Sequence, residues 1–329
     1  MKKFKFLIGR ILEMDYKQLF TTVNKVHKKS GKNRIWLFFD IISCGIKYQA
    51  GYIDYMNAGM YRLNAKQRED VITRGVNNKY VVKYNHKDYT HFFYNKVDFN
   101  KAFSRFLGRD WLLVEDASQK DAFDKFIQDK EDFILKPVDG THGEGVQKLP
   151  AKPEVFETAL KSAPFLAEER IIQVEALSKL NPTSVNTIRA VTFLKDNKAT
   201  LLAAYLRIGQ TGIVDNFCNG GMLTPIDIET GILHFPAVDG ENQAYESHPI
   251  TGTSIIDFQI PQWKEVKAMV LEAAHIIPQV RYVGWDVAVS EKGPCLIEGN
   301  EYPGHVFYVF AEHHPDGNGC RHIFEEVMD

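Results

Sequence analysis

The stretch WDVAVSEKGPCLIEGN, residues 285–300, decides the fold. Its two apolar runs are separated by Glu-Lys-Gly, which is typical of a β-hairpin. A three-residue hairpin loop commonly has glycine in its last, left-handed position, so the sequence predicts a turn at residues 291–293. Counting outward from this turn places Asp286 opposite Glu298. The pattern therefore predicts two carboxylates that face each other across a strand pair.

Asn300 follows Glu298 by two residues and shares its face of the strand. Like charges directly opposite each other repel unless a cation lies between them. Carboxylate and amide oxygens are hard ligands that suit Mg²⁺. Asp286, Glu298 and Asn300 are therefore the predicted magnesium ligands. In the alternative interpretation, both acids simply face solvent.

A second strand pair is predicted around a glycine-rich loop, FILKPVDGTHGEGVQKL at residues 133–149. Glycines are needed where backbone N–H groups approach phosphate oxygens closely. Lys136 ends the first strand, where its ammonium can reach the same phosphates. A strand rather than a helix follows the glycines, so neither the Rossmann nor the P-loop pattern fits. The segment predicts a phosphate-covering hairpin, with an ordinary glycine-rich turn as the alternative.

A third segment, FLAEERIIQVE at residues 165–175, is an apolar strand that runs into two acids. A chain that passes an adenine ring can read its edge with backbone groups and cover its face with a side chain such as Ile171. A later carboxylate such as Glu175 can bind ribose hydroxyls. Alternatively, the acids at this strand end are solvated.

Composition narrows the class of protein. The 329 residues are 44% hydrophobic and 25% charged, which excludes a disordered chain. Forty Lys and Arg against 42 Asp and Glu leave no basic excess, so we expect no nucleic-acid partner. The four cysteines form no CxxC pair, which favours a reducing, cytoplasmic location. Apolar runs are far shorter than the ~20 residues that span a bilayer, so no transmembrane segment is predicted.

The pattern of apolar and polar residues changes near residue 130. Before it, apolar residues recur every three or four positions, and residues such as Asn64 are placed as helix caps. From Asp132 onward, short β-rich segments alternate with turn residues, and only two helices are predicted, near 153–162 and 261–277. This order predicts an α+β fold with a mainly helical N-terminal region.

In this order, the three segments resemble the ATP-grasp superfamily, whose members fold as two α+β lobes that clasp ATP between antiparallel sheets. The resemblance implies that the glycine loop covers the phosphates, that residues 165–175 form the adenine and ribose hinge, and that the ExN ending at Asn300 completes the magnesium triad. The implied nucleotide-binding residues are Lys136, Gly140, Thr141, Gly143, Gly145, Glu168, Glu169, Ile171 and Glu175.

The NTIR and LRIG segments resemble the arginine segments of the amino-acid-ligating branches. The resemblance implies that Arg189 and Arg207 act in catalysis by holding the transferring phosphoryl group or the acyl-phosphate oxyanion. A second phosphate-binding lysine usually precedes the glycine hairpin, and the candidates are Lys96 and, as the alternative, Lys101. Many amino-acid ligases carry an arginine two residues before the first metal acid, where this chain has Gly284.

Over roughly residues 50–329, segments such as NKVDFNKAFSRFLGRDW and EGNEYPGH resemble the sugar-transfer-associated ATP-grasp group. This resemblance implies an ATP- and Mg²⁺-dependent ligase that joins a carboxylate to an amine through an acyl phosphate. The substrate would be a sugar acid or amino acid of polysaccharide biosynthesis. The implied division is a helical region at 1–130, a small lobe at 131–175 and a large lobe at 176–329.

Two other functions stay open. One is a kinase that phosphorylates a sugar or polyol hydroxyl, with Asp215 or Asp227 recruited as the base. The other is a non-catalytic ATP-binding partner of a glycosyltransferase. The sequence predicts neither the identity of the substrates nor the oligomeric state.

Overall fold

A computed structural model describes residues 15–138, 145–210, 217 and 220–329. The chain divides into two compact units. Of the described residues, the helical unit comprises 15–79 together with His305–Glu325, and the sheet unit comprises those within Tyr80–Gly304 together with Glu326–Asp329. The division at Lys79 differs from the predicted boundaries at residues 130 and 175.

The helices in chain order are α1 (Tyr16–Ser30), α2 (Arg34–Lys47), α3 (Tyr52–Asn57), α4 (Ala65–Glu69), α5 (Arg74–Tyr84), α6 (His91–Tyr94), α7 (Lys96–Ala102), α8 (Lys120–Ile127), α9 (Val155–Ala159), α10 (Glu175–Leu180), α11 (Trp263–Ala273) and α12 (Arg321–Met328). The strands are β1 (Trp111–Val114), β2 (Asp132–Pro137), β3 (Gln147–Pro150), β4 (Phe165–Glu169), β5 (Ile188–Lys195), β6 (Lys198–Ile208), β7 (Met222–Pro225), β8 (Ala237–Asp239), β9 (Ala244–Tyr245), β10 (Tyr282–Ser290) and β11 (Gly293–Asn300).

The helical unit is built on capped, amphipathic helices. Asp15 caps α1 by accepting a hydrogen bond from the Gln18 N–H, and α1 ends at Gly31 in the left-handed region with φ of 70°. The predicted cap Asn64 accepts from the Gln67 N–H at 3.0 Å at the start of α4. The unit's core is lined by Leu19, Val23, Val26, Leu37, Ile41, Cys44, Tyr55 and Val309.

The sheet unit contains two antiparallel sheets. The small sheet has the strand order β1-β4-β2-β3, and the large sheet has the order β11-β10-β5-β6-β7-β8-β9. Strand β1 lies within the stretch that was predicted to be mostly helical. Its four residues, WLLV, are too few to show the alternation that predicts a strand. The α+β fold with antiparallel sheets and a helical N-terminal region is as predicted.

The apolar face of α11 is buried, with Val266 and Val270 fully inaccessible to solvent. The helix packs with the large sheet in one hydrophobic cluster that also includes Trp285 of β10. No helix among the described residues is long and apolar enough to cross a membrane.

Candidate active site

The β10–β11 hairpin places Asp286 opposite Glu298, as predicted. The predicted three-residue turn is wrong, because Ser290 pairs with Gly293 and leaves two residues in the turn. An irregularity in β11 at Ile297 compensates for the shorter turn and restores the pairing of the two acids. The correct carboxylate pair therefore arises from a tighter turn and a bulge.

Gly299 fixes which face of β11 carries the polar residues. A Cβ at this glycine would lie 2.8 Å from Phe93 and 2.9 Å from Phe99, so the backbone packs directly on an aromatic cluster. Since side chains alternate along a strand, Glu298 and Asn300 project from the opposite face. The aromatic cluster thus orients the predicted metal ligands away from the core.

Two arginines hold Asp286, whose side chain is 2% exposed. Arg189 lies opposite Asp286 on β5 and donates from Nε and Nη2 to its two oxygens, at 2.5 and 3.1 Å. Arg207 of β6 donates from Nη2 to Oδ2 at 2.8 Å and from Nε to Thr187 Oγ1 at 2.8 Å. The structure therefore brings both predicted catalytic arginines to the first predicted metal ligand.

The two facing acids have opposite pKa shifts. Burial opposes ionisation of Asp286, but Arg189 and Arg207 hold the pKa of its carboxyl below the usual range. Burial and then the charge of Asp286 raise the pKa of Glu298. Arg189 and Arg207 therefore compensate the charge of Asp286 more fully than that of Glu298.

The chemistry of these donors fits Mg²⁺. Asp286 and Glu298 supply carboxylate oxygens and Asn300 supplies an amide oxygen, which are the hard donors that this ion prefers. The Asn300 amide nitrogen donates to the Gly284 carbonyl at 3.4 Å. This contact leaves the amide oxygen as the atom of Asn300 that would face a metal ion. No group of three His, Cys, Asp or Glu side chains in the described ranges offers another metal site.

The position of Gly284 explains the departure from the ligase pattern. A Cβ here would lie 3.1 Å from Arg189 Cδ and 3.0 Å from Pro303 Cα. Arg189 passes over this glycine and also donates from Nη1 to the Pro303 carbonyl at 2.8 Å. An arginine from the neighbouring strand thus crosses the space that a side chain at position 284 would fill.

We expect Gly284→Ala to lower the free energy of unfolding by about 1–3 kcal/mol, because the new methyl group overpacks against Arg189 and Pro303. Gly240→Ala is the matched control, since the nearest atom to its added Cβ lies at 4.0 Å. Urea unfolding of both variants measures the difference. Equal stability of the two variants would contradict the close packing at Gly284.

Lys136 is held by a buried carboxylate. Its Nζ lies 2.7 Å from Glu168, which is 3% exposed. Arg109 Nε and Asn100 Nδ2 also donate to Glu168, at 3.0 and 3.1 Å. Burial opposes ionisation, but Arg109 and then Lys136 keep the pKa of Glu168 well below its usual range. The Glu168 side chain therefore fixes the position of the predicted phosphate-binding lysine.

Arg109, which the sequence analysis missed, connects this network to the β10–β11 hairpin. Its Nη1 donates to the Leu296 carbonyl at 2.6 Å, and its Nη2 donates to the Ile297 carbonyl at 3.4 Å. Those carbonyls flank the β11 irregularity. In the sequence, Arg109 stands in a short polar stretch before a strand, which does not distinguish it from an exposed loop residue.

The other hinge residues lie near the end of β4. Glu169 Oε1 lies 3.2 Å from Lys292 Nζ, and Glu169 Oε2 accepts from the Asp110 N–H at 3.2 Å. Ile171 is half-buried. Glu175 begins α10, is 80% exposed and forms an ion pair with Lys179 at 3.0 Å.

The glycine loop is described only in part. Gly140, Thr141 and Gly143 lie outside the described residues, whereas Gly145 has a φ of 72° with the Pro137 ring directly behind it. In this left-handed conformation a side chain would be strained.

The two candidate second lysines belong to one helix. Lys96 is the first residue of α7 and is half-buried, whereas Lys101 is exposed near its end. Phe99 of the same helix packs on β11 at Gly299. Lys96 therefore belongs to a helix that contacts β11.

Comparison with solved structures gives distant likenesses. The ATP-grasp ligase PsnB in complex with a minimal precursor is 18% identical, with 67% of this chain and 54% of that chain covered and a TM-score of 0.39. The D-alanyl-alanine synthetase A from Vibrio cholerae is 13% identical, with 72% and 63% covered and a TM-score of 0.43. The D-alanine–D-alanine ligase from Helicobacter pylori is 14% identical, with 73% and 62% covered and a TM-score of 0.43.

At these scores, the likenesses support no conclusion about activity. The chain spans between 54% and 63% of the length of these three proteins. No curated protein matches the chain significantly. The family model for the sugar-transfer associated ATP-grasp proteins matches residues 152–315, a range that contains Arg189, Arg207 and the β10–β11 hairpin. Residues 152–315 of this chain therefore belong to the sugar-transfer associated ATP-grasp family.

Proposed function

We propose that the protein is an ATP- and Mg²⁺-dependent ligase that forms an amide between a carboxylate and an amine through an acyl phosphate. The observation that carries this proposal is the arrangement around Asp286: a buried carboxylate held by Arg189 and Arg207, opposite a second acid with a raised pKa. Phosphoryl transfer requires mainly positioning and charge neutralisation, and this cluster supplies cations and oxygen ligands without a nucleophilic side chain.

ATP would bind with its phosphates between Lys136, Lys96 and the glycine loop, and with adenosine at the hinge of residues 168–175. Glu168 and Arg109 keep the Lys136 ammonium in place before nucleotide binds. Asp286, Glu298 and Asn300 would hold Mg²⁺, which supplies charge neutralisation at the phosphate oxygens when it is bound.

The reaction proceeds in two displacements. A carboxylate oxygen of the first substrate attacks the γ-phosphorus, the bond to the β–γ bridging oxygen breaks, and ADP leaves. The amine then attacks the acyl carbon, phosphate leaves with the carboxylate oxygen, and the amine loses a proton to solvent. Arg189 and Arg207 stabilise negative charge on the phosphoryl group and on the tetrahedral oxyanion, and each such donor contributes about 3–4 kcal/mol in a dry site.

We place the acceptor at Tyr302 and Pro303, because the Pro303 carbonyl anchors Arg189 beside Asp286. The substrate class that we propose is a sugar acid or amino acid of polysaccharide biosynthesis, handled in the cytoplasm. Asp227 is poorly suited to the kinase alternative because its Oδ1 already accepts from the Thr230 N–H and hydroxyl, at 2.7 and 2.8 Å. Asp215 lies outside the described residues.

The test is ADP release from ATP and Mg²⁺ with uronic acids and amino acids, supplied as carboxylates, amines or both. The ligase requires both partners for sustained turnover. Turnover with a uronic acid alone, with a product phosphorylated on a sugar hydroxyl, would establish the kinase. Absence of turnover with every mixture would favour the non-catalytic ATP-binding partner.

A further inference from the structure

Helix α2 of the helical unit has apolar residues on two opposite faces. One face, Leu37, Ile41 and Cys44, is buried in the core of the unit. A surface helix normally carries polar residues on the opposite face. The outer face of α2 instead carries three large, exposed apolar side chains. They are Ile35, which is 69% exposed, Phe39, which is 64% exposed, and Ile46, which is 53% exposed.

The outer face is continuous with aromatic residues of α1. Phe20 is 54% exposed, and its ring stacks on Phe38 with the centroids 5.8 Å apart. Phe38 in turn contacts Phe39 edge-on at 5.3 Å. Trp36, in the first turn of α2, is 44% exposed. We call Phe20, Ile35, Trp36 and Phe39 the apolar patch; exposed apolar clusters of this kind mark interaction surfaces.

The segment that carries the apolar patch has an excess of positive charge. Residues 15–47 contain seven Lys and Arg against two Asp, in a chain whose totals are 40 and 42. One of these acids, Asp40, is already held by Arg68 at 2.8 Å. The Lys32 ammonium lies 4.6 Å from the centre of the Trp36 ring. Among the residues described, Lys29 alone of these cations lies within ion-pair distance of a carboxylate, that of Glu312 at 3.4 Å.

We propose that the α1–α2 hairpin docks on an anionic lipid surface, with the apolar patch entering the interface and the cations of residues 15–47 contacting the headgroups. Basic helices with exposed Trp, Phe and aliphatic residues bind membranes in this way. A second copy of the chain is the less suitable occupant, because an isologous contact through this patch would bring two strongly basic hairpins together. The inference does not depend on the proposed function.

The test is co-sedimentation of the full chain with vesicles of phosphatidylcholine alone and of phosphatidylcholine mixed with phosphatidylglycerol. Wild type should bind the anionic vesicles, and binding should weaken as salt rises. The double variant Trp36→Ser, Phe39→Ser should bind at least about tenfold more weakly, because two apolar side chains no longer leave water. Ile250→Ser, at a residue that is 65% exposed in the sheet unit, is the matched control and should bind like wild type.

Three results would overturn the inference: no binding to anionic vesicles, equal binding to both vesicle types, or unchanged binding of the double variant. Light scattering measures the molar mass of the same proteins and so tests whether a second copy of the chain covers the apolar patch. A wild-type dimer that the double variant converts to a monomer, without vesicle binding by either, would assign the apolar patch to a second copy of the chain. Circular dichroism shows that each variant is folded, which exposed substitutions should permit.

Discussion

Asp286→Asn should lower Mg²⁺-dependent ATP turnover by about a thousandfold or more. The change removes the one buried negative charge that Arg189 and Arg207 both contact, and with it a charged oxygen donor for the metal. Arg189 and Arg207 then lose the carboxylate that orients their guanidinium groups. Because two guanidinium groups are left without their carboxylate, the variant should also lose about 3–5 kcal/mol of stability.

Asp257→Asn is the matched control for this substitution. Asp257 is an exposed acid of the same unit with a φ of 62°, a conformation that asparagine adopts readily. It should retain wild-type turnover and stability. Turnover is compared below the melting temperature of Asp286→Asn, so that loss of fold is separated from loss of chemistry. A folded Asp286→Asn protein with wild-type turnover would contradict the proposed metal site.

Glu168→Gln should destabilise the protein by about 3–5 kcal/mol at neutral pH, because a neutral amide leaves Arg109 and Lys136 buried without a counter-charge. Glu169→Gln should lower the free energy of unfolding by less than about 1 kcal/mol, since Lys292, the partner of Glu169, is 75% exposed. Urea unfolding measures both free energies. Equal effects of the two substitutions would contradict the role of Glu168 as the buried anchor.

The same residue predicts a pH dependence. The folded-state pKa of Glu168 is lowered from its ordinary value of 4.5, so its stabilisation is fully present above that pH. The stabilisation is lost as pH falls from 4.5 through the lowered folded-state pKa. The free-energy difference between wild type and Glu168→Gln should therefore shrink as the pH is lowered below 4.5. A difference that stays constant with pH would show that the carboxylate is not selectively stabilised by folding.

Much of the β10–β11 hairpin was predictable because strand alternation has a period of two. The spacing from Asp286 to Glu298 fits a carboxylate pair, and like charges are unfavourable there without a cation. The turn and the irregularity at Ile297 were not predictable, because a shorter turn and an extra strand residue leave the same two acids opposite each other. Two compensating changes in register leave no trace in the pattern.

The role of Arg109 was not predictable for a different reason. Its contacts with Glu168 and with the Leu296 carbonyl join residues 59 and 187 positions away, and no local spacing encodes such a pairing. The ion pair of the Glu168 side chain was not predictable from local spacing either. The resemblance assigned it to the adenine hinge, whereas the ion pair with Lys136 arises from the β2–β4 register.

The most direct test of the central claim follows the oxygen of the carboxylate substrate. Carboxylates labelled with ¹⁸O are incubated with ATP, Mg²⁺ and an amine, and the released phosphate is analysed by mass. An acyl-phosphate ligase transfers one carboxylate oxygen to phosphate, so the account predicts one ¹⁸O atom in the phosphate of each turnover. Released phosphate without the label, or a phosphorylated hydroxyl product in its place, would contradict it.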